Sequence, residues 1–180
     1  MDKTDEALGF AKVHDLPVPY MQRLRDYYIA LGYGNPYRWA QYSSVPFTPV
    51  QRPLNEARVA LITTAGPLKE GAGDQGPGAA YNAAAKFYEV YSAGSNNELF
   101  LGISHLGYDR KYTTAEDINS FFPLAALHSA AGNGRIGEIS PRFYGMPTNR
   151  SQITTIQQDC ADLLTLLHED RVDVAVIAPN

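Results

Sequence analysis

The sequence predicts an α/β fold, in which a three-layer, Rossmann-like domain with a mainly parallel sheet follows an N-terminal helix and an extended aromatic arm. Short apolar runs predict the sheet, because they are continuous rather than alternating, as in strands that are buried on both faces. These runs are residues 58–63, 99–103, 136–139 and 172–177. Segments with helical spacing separate the later runs, and this alternation is typical of parallel sheets with right-handed crossovers.

The N-terminal region predicts one helix followed by one arm. Pro19 suits the first turn of a helix, since the apolar residues after it recur at intervals of three and four. These apolar residues are Met21, Leu24, Tyr28 and Leu31. Residues 35–53 are rich in Pro, Ser and aromatic residues and predict an extended arm. We expect a helix and arm at residues 1–56 and an α/β domain at residues 57–180, together forming a single globular unit.

Aromatic residues are concentrated in this N-terminal region. The chain contains 12 tyrosines, and many of them precede residue 50, with Trp39 among them. Tyr and Trp combine an apolar ring with a polar group and are enriched at protein interfaces. The arm therefore either packs across its own domain or forms a subunit interface. We expect an oligomer, of like or unlike subunits, with residues 33–53 at the interface.

The segments between the strands differ in how clearly they predict structure. Residues 67–80 form a Gly-rich loop, which fits either a lid over a site or a surface loop. No Gly-Lys-Ser/Thr sequence ends this loop, and this excludes a Walker A nucleotide-binding loop. Residues 81–90 fit a short helix or an irregular connection. Two helices are predicted later, at residues 124–131 and at about residues 152–168, where Ser151 is the cap.

Charge, hydropathy and cysteine content exclude several classes of protein. The net charge of −4 argues against nonspecific nucleic-acid binding, and no apolar run is long enough to cross a membrane. The first residues lack the apolar core of a secretory signal, so we expect a cytoplasmic protein without nucleic-acid or membrane partners. The single cysteine, Cys160, excludes an internal disulfide. It lies on the apolar side of the predicted helix 152–168, where we expect an inert buried thiol.

Polar side chains follow the predicted strands, at the positions where open parallel sheets bind ligands. His105 comes directly after the run 99–103 and is the candidate general acid or base, and Asp109 is placed to orient its imidazole. Arg142 follows a later strand, and its planar guanidinium suits a substrate carboxylate. The substrate-binding candidates are Thr64, Ser104, Tyr108, Asn119, Arg142, Tyr144 and Asn180.

Structural roles compete with these functional ones. Asp117 and Asn119 also fit the cap of a short helix, and Arg142 also fits a surface ion pair. His105, Asp109 and Asp117 have the chemistry of metal ligands, but their spacing does not match a tight metal-binding motif. We therefore assign no metal and no cofactor to this chain.

The same residues resemble those of a known family. The segments ARVALITTAG, ISHLGYD, EDINSFFPLAALHSAAGNGRIGEISPRFYG and DRVDVAVIAP are similar to the glycine/sarcosine/betaine reductase component B and D-proline reductase family, the selenoprotein B-like proteins. The resemblance covers roughly residues 57–179. Its most specific part is the pattern Ser-His-x-x-Tyr-Asp followed by Asp-Ile-Asn-x-x-Phe-Pro.

The resemblance implies a subunit of a reductase complex that reductively cleaves a small amine or amino-acid derivative. In that family a Cys or Sec residue follows the last strand and attacks the substrate, a pyruvoyl group on a partner subunit holds the amine, and a thiol carrier protein restores the nucleophile. Because the sequence ends at Asn180, we expect the nucleophile beyond or outside this chain. The alternatives are a non-catalytic, partner-binding subunit and a metal-dependent enzyme that uses His105 and nearby carboxylates.

Overall fold

The computed structural model describes residues 17–34, 42–67, 85–97, 100–104, 112, 117–148 and 151–179. The chain forms two compact units, Met1–Val45 and Pro46–Asn180. The division into domains at residue 56 stays a prediction. Among the residues described, no helix combines the length and the apolar character needed to cross a lipid bilayer.

The first unit contains α1 (Tyr20–Ala30), the helix predicted after Pro19. The helix ends before Gly32, whose φ of +88° is a left-handed backbone conformation that glycine adopts without steric cost. Tyr28 packs edge-on against Tyr27 and Tyr33, with ring centroids 5.7 and 5.5 Å apart. Part of the aromatic surface of this region is therefore used within the unit.

The second unit contains a mixed α/β structure. Its described strands are β1 (Arg58–Thr63), β2 (Gly66–Pro67), β3 (Tyr91–Gly94), β4 (Leu101–Gly102), β5 (Glu138–Ile139), β6 (Arg142–Gly145) and β7 (Val174–Ala178). Its described helices are α2 (Leu124–Gly132) and α3, in which Gln152–Thr154, a π-helical turn at Thr155–Asp159 and Cys160–Glu169 follow one another. Single 3₁₀ turns lie at Leu54–Glu56 and Ile118–Ser120.

Strand β1 is the centre of a five-stranded sheet. One of its edges pairs with β7 in parallel from Val59 to Thr63. Its other edge pairs in parallel with β5 at the beginning and with β6 at the end. Arg58 lies opposite Glu138 and Ile62 opposite Tyr144, so the β5–β6 side has two more residues than β1. This difference makes β5 and β6 one strand that is interrupted by a bulge.

The bulge is held by a serine from the neighbouring chain segment. The Ser95 amide donates to the Pro141 carbonyl at 2.9 Å, and the Ser95 hydroxyl donates to the Ser140 carbonyl at 2.8 Å. Ser95 and Ser140 are both buried, so the hydroxyl bond satisfies a carbonyl of a buried residue. Nε2 of His128, in α2, lies 3.1 Å from the Ser95 carbonyl and adds to the same network.

The strand predicted at residues 99–103 does not join the parallel sheet. Its described part, β4, pairs antiparallel with β2 in a separate two-stranded sheet. The position beside β6 is instead taken by β3, which pairs antiparallel with it. The main sheet is therefore mainly parallel with one antiparallel strand.

Two apolar clusters cover the two faces of the sheet. On one face Ala60, Ile62 and Tyr144 pack against Leu163 of α3. On the other face Leu61 and Phe143 pack with Ile103, Phe121 and Phe122, and partly buried residues of α2 add to that cluster. Phe122 and Phe143 are in edge-to-face contact with their ring centroids 4.6 Å apart. The mixed α/β fold with a mainly parallel sheet is confirmed, and the three-layer, Rossmann-like arrangement stays a prediction.

Helix α3 presents a different face to the sheet from the one that its sequence predicts. Cys160 is exposed, so the prediction of a buried thiol is wrong. Asp159 and Leu163 take the buried positions instead. The physical reason is helix geometry: Asp159, Leu163 and Leu167 are spaced four residues apart and form one line against the sheet, whereas Cys160 lies on the adjacent line with Leu164.

Candidate functional site

Parallel strands β1, β6 and β7 end at the same side of the sheet, which we call the carboxyl edge. The turn after β1 is tightly fixed there. The Thr63 hydroxyl accepts a hydrogen bond from the Ala65 amide at 3.1 Å, and the Tyr91 hydroxyl donates to the Ala65 carbonyl at 2.6 Å. Burial raises the pKa of Tyr91 well above its usual value, so this hydroxyl stays a donor. These two hydrogen bonds hold the turn after β1 in place at the carboxyl edge.

Two predicted substrate-binding residues come together above this turn. In the small antiparallel sheet, Gly66 lies opposite Gly102 and Pro67 opposite Leu101. Thr64 precedes Gly66 by two residues and Ser104 follows Gly102 by two residues, so both flank the same end of this small sheet. Both are half-buried. Two predicted hydroxyl groups therefore lie at the end of the sheet that adjoins the turn after β1.

A lysine that the sequence did not single out lies at the same edge. The Lys86 ammonium donates to the Thr148 carbonyl at 2.6 Å and lies 3.4 Å from its hydroxyl. Thr148 follows β6, and Met146 continues the ladder by donating its amide to the Thr63 carbonyl. Ala85, which precedes Lys86, is in close contact with the turn after β1, since a Cβ on Gly66 would lie 1.9 Å from the Ala85 carbonyl oxygen. Lys86 therefore brings a positive charge close to that turn.

The N-terminus of α3 lies at the carboxyl edge as well. The C-terminal end of α3 is joined to the start of β1, because the Asp173 amide donates to the Arg58 carbonyl, and the helix runs back along the sheet from there. Ser151 caps its first turn by accepting from the Thr154 amide at 3.3 Å. One turn before Leu163, the carboxylate of Asp159 is buried on the sheet side of α3. Buried ionisable groups near a strand edge are candidates for functional residues.

Arg142 and Tyr144 are engaged in a different network, toward the beginning of the strands. Arg142 donates from Nε and Nη2 to the two carboxylate oxygens of Asp170 at 2.7 and 3.1 Å, and Nη2 also reaches Glu169 at 3.0 Å. The Tyr144 hydroxyl donates to Asp170 and lies 3.1 Å from the Ser140 hydroxyl. Arg142 thus forms the ion pair that was its alternative role, and its guanidinium is already paired with two carboxylates.

The titration of this network follows from its contacts. Hydrogen bonds to Asp170 and Glu169 raise the pKa of Arg142 above its usual value. Hydrogen bonds from Arg142 hold the pKa of Asp170 below its usual value. Burial, together with the hydrogen bond to Asp170, raises the pKa of Tyr144 to about 12. These directions all favour the charged pair and a protonated phenol, as in a structural ion-pair cluster.

Asn119 lies in the turn that Asp117 caps. The Asp117 carboxylate accepts hydrogen bonds from the backbone amide and the side-chain amide of Asn119, both at 2.9 Å. The Ser120 hydroxyl donates to the Asp117 carbonyl at 2.7 Å. The capping role predicted for Asp117 is confirmed, and a role of Asn119 in substrate binding stays a prediction.

Four predicted site residues lie outside the described residues: His105, Tyr108, Asp109 and Asn180. Their catalytic and substrate-binding roles stay predictions. Within the described part of the chain, no three His, Cys, Asp or Glu side chains are grouped as metal ligands.

Sequence reasoning missed three charged residues that the structure places at important positions. Lys86 follows an alanine run in the segment that fitted either a helix or a loop, and no pattern distinguishes it. Asp170 follows the predicted helix, and its position in the sequence predicts only a turn at the end of that helix. Asp159 alone carried a signal, because an acidic residue beside Cys160 interrupts the apolar spacing of the predicted helix.

The comparisons with known proteins agree on one family. The family model of glycine/sarcosine/betaine reductase selenoprotein B matches residues 31–179. A curated relative, the glycine reductase complex component B subunit gamma of Symbiobacterium thermophilum, is 23% identical over 148 residues. That alignment covers 81% of this chain and 33% of the relative, so the chain spans about a third of the relative's length. No solved structure matches the chain. Because the family model covers most of its length, the chain belongs to the glycine/sarcosine/betaine reductase selenoprotein B family.

Proposed function

We propose that this chain is part of component B of a glycine reductase-type complex and helps to bind a small amine or amino-acid substrate. The family match over residues 31–179 is the observation that carries the proposal. Glycine, sarcosine and betaine, which the family description names, each have a carboxylate next to the carbon that carries nitrogen. A site for these compounds needs hydrogen-bond donors and a positive charge for that carboxylate.

The carboxyl edge offers such donors. Thr64 and Ser104 flank the same end of the small antiparallel sheet, and Lys86 follows Ala85, which contacts Gly66 of that sheet. Arg142 suits the role less well, because Asp170 and Glu169 already accept its hydrogen bonds. We propose that the two hydroxyls and Lys86 hold the substrate carboxylate.

The chemical step rests on the family and on the sequence. We propose that His105, oriented by Asp109, donates a proton to the amine that leaves the substrate. Tyr108 and Asn180 complete the substrate contacts in this proposal. A Cys or Sec nucleophile from beyond or outside this chain bonds to the substrate carbon as the carbon–nitrogen bond breaks, and the amine leaves with the proton from His105. A carrier thiol then takes over the carbon fragment and releases the nucleophile. A pyruvoyl group on a partner subunit would bind the amine.

Ligand-observed saturation-transfer NMR tests the binding site. Wild-type protein is titrated with glycine, sarcosine and betaine, and the variants Lys86→Met and Thr64→Val with Ser104→Ala are titrated in parallel. Hydrogen bonds to charged groups contribute about 1.5–3 kcal/mol each, so each variant should weaken binding by about tenfold or more.

The matched control is Thr165→Val. Its hydroxyl donates to the Ala161 carbonyl within α3, at 3.0 Å, on an exposed part of the helix. This variant should bind like the wild type. Binding of all three compounds by every variant with wild-type affinity, or by none of the proteins, contradicts the proposed site.

A partner-binding subunit is the second candidate function, and one observation favours it. Phe47, in the predicted arm, is 90% exposed, and Val45 beside it is also exposed. Large exposed apolar groups are typical of interaction surfaces. If this function is correct, Phe47→Lys should abolish assembly with the other reductase subunits in size-exclusion chromatography, while the ligand binding described above is unchanged.

A further inference from the structure

Tyr91, the first residue of β3, lies over a position of β6 that has no side chain. Its register partner there is Gly145, and a Cβ on Gly145 would lie 1.8 Å from a carbon of the Tyr91 ring. The ring therefore lies directly against the Gly145 backbone, where the side chain of any other residue would displace it. Because β3 is paired with β6 at this point, the sheet determines where the Tyr91 ring lies.

The core holds the same ring from another side. The centroids of the Tyr91 and Phe143 rings are 6.1 Å apart in an edge-to-face contact. Phe143 is buried and packs in turn on Phe122. A ring that is packed in this way has little freedom to change its rotamer, so its hydroxyl stays at one place.

The hydroxyl of Tyr91 reaches the turn after β1. It donates to the Ala65 carbonyl at 2.6 Å, and Ala65 is fully buried. The bond joins two segments that are 26 residues apart in the sequence. Thr64 and Gly66 lie on either side of Ala65, so this bond fixes the backbone of the turn that carries Thr64.

The Tyr91 ring also contacts the segment that carries Lys86. Phe87, the residue after Lys86, is in edge-to-face contact with Tyr91, with the ring centroids 5.1 Å apart. A Cβ on Gly66 would lie 3.0 Å from the Phe87 ring and 1.9 Å from the Ala85 carbonyl oxygen. This segment and the turn after β1 are thus packed directly against each other, and Tyr91 contacts both.

We propose that Tyr91 is a positioning residue, which holds Thr64 and Lys86 at the separation that a substrate carboxylate needs. This inference rests on the proposed function, because it takes these two residues as groups that bind the substrate. Tyr91 does not touch the substrate itself, since its hydroxyl already donates to the Ala65 carbonyl. Binding groups need such support, because they bind well only when their own positions are fixed by packing and hydrogen bonds.

The substitution Tyr91→Phe removes the hydroxyl and keeps the ring. The buried Ala65 carbonyl then loses its donor, so the turn shifts toward another donor or toward water. We expect glycine, sarcosine and betaine each to bind about tenfold more weakly in saturation-transfer NMR titrations, since groups displaced by about 1 Å lose much of their contact with a ligand.

Ser95→Ala is the matched control. The Ser95 hydroxyl also donates to a carbonyl of a buried residue, Ser140, at 2.8 Å, and Ser95 directly follows β3. The two variants thus lose the same kind of hydrogen bond from opposite ends of one strand. Both should lower the free energy of unfolding by a similar amount in urea denaturation, but Ser95→Ala should bind the three compounds like the wild type.

A double-mutant cycle separates positioning from a general loss of stability. Tyr91→Phe is combined with Thr64→Val, and binding by the double variant is compared with binding by each single variant. If Tyr91 acts through the turn, the loss caused by Tyr91→Phe should shrink from about tenfold to about threefold or less in the Thr64→Val background. Ser95→Ala should have no effect on binding in either background.

The hydrogen bond itself is measured in solution by selective isotope labelling of alanine carbonyls and glycine amides. The Gly66 amide nitrogen is bonded to the Ala65 carbonyl carbon, so its chemical shift depends on a donor at that carbonyl. This signal should move in Tyr91→Phe and stay in place in Ser95→Ala. An unchanged signal in Tyr91→Phe contradicts the bond, and the proposal with it.

The remaining outcomes distinguish this proposal from the proposed function. Wild-type affinity in folded Tyr91→Phe, while Lys86→Met still weakens binding, would leave the site intact and overturn the role of Tyr91. Equal losses of binding in Tyr91→Phe and Ser95→Ala, or additive losses in the cycle, would indicate a purely structural effect and also overturn it. If the wild type binds none of the three compounds, the proposed function fails and this inference fails with it.

Discussion

The Asp170 carboxylate accepts hydrogen bonds from both Arg142 and Tyr144. Its replacement by asparagine therefore tests how much this network stabilises the folded chain. The substitution Asp170→Asn keeps the side-chain shape but removes the charge that Arg142 and Tyr144 contact. The Asp170 side chain is only 12% exposed, so solvent replaces little of what is lost. Hydrogen bonds to charged groups contribute about 1.5–3 kcal/mol, and asparagine retains one acceptor oxygen. We expect the free energy of unfolding at pH 7 to fall by about 2–3 kcal/mol.

The neighbouring carboxylate provides the control. Glu169 also accepts a hydrogen bond from Arg142, but its side chain is 56% exposed. Exposed pairs contribute about 0–1 kcal/mol, so Glu169→Gln should lower the free energy of unfolding by about 0.5 kcal/mol or less. Urea denaturation followed by circular dichroism measures both variants.

The pH dependence separates the charge of Asp170 from its shape. Arg142 lowers the pKa of Asp170 from its ordinary value of 3.8. A carboxylate with a lowered pKa in the folded state stabilises fully above its unfolded pKa, and this stabilisation is lost as the pH falls through the folded pKa. The difference between wild type and Asp170→Asn should therefore shrink below about pH 4. Equal losses for Asp170→Asn and Glu169→Gln, or a difference between wild type and Asp170→Asn that is as large at pH 3 as at pH 7, would refute the reasoning.

Three further predictions concern stability and are measured by urea denaturation. The pKa of Tyr144 is raised to about 12, so its protonated phenol stabilises the folded state fully below the unfolded pKa near 10. This stabilisation is lost as the pH rises toward 12. Because Tyr144→Phe has no phenol to titrate, its free energy of unfolding should fall less than that of the wild type between pH 10 and 12. Gly66→Ala places a Cβ 1.9 Å from the Ala85 carbonyl oxygen and should cost about 2–3 kcal/mol, whereas Gly132→Ala, with no atom within 4 Å, should be neutral or slightly stabilising. Phe143→Ala removes a buried ring that packs on Phe122 and should cost about 3–5 kcal/mol.

The elements that the sequence predicted well are those whose signals are local. A continuous apolar run identified β1 to the residue, and the same signal located β7 within two residues. The serine cap at residue 151 and the spacing of apolar residues located α3. Burial on both faces of a central strand leaves little freedom in the choice of residue, so the pattern is clear.

The elements that sequence reasoning missed depend on distant pairing. The sequence of β6, RFYG, begins with a charge and ends with glycine, and β3, YSAG, is small and polar. Each forms a strand by pairing with the other, since Tyr91 pairs with Gly145 and Gly94 pairs with Arg142. Strand preference reflects such packing more than an intrinsic backbone tendency, so a single sequence does not reveal it.

In the candidate site too, the residues that local signals mark were predictable and those that depend on distant partners were not. Thr64 was assigned from the end of β1, and Ser104 from the end of an apolar run, and both flank the same end of the small antiparallel sheet. The pairing of Arg142 was not predictable, because its partner Asp170 is 28 residues away and belongs to another element. When the partner of a charged side chain is distant in sequence, the role of that side chain can be assigned only from the structure.

Helix α3 shows how far a local apolar pattern predicts burial. In an uninterrupted α-helix, the spacing of Ile156, Cys160 and Leu163 would place all three against the sheet. In the structure Asp159 and Leu163, four residues apart, lie inside, whereas Ile156 and Cys160 lie outside. The buried line of α3 therefore carries a carboxylate where the apolar spacing favours a thiol. Apolar spacing identifies the helix, but the choice between two adjacent lines of residues depends on what packs against them, so burial along α3 follows only from the structure.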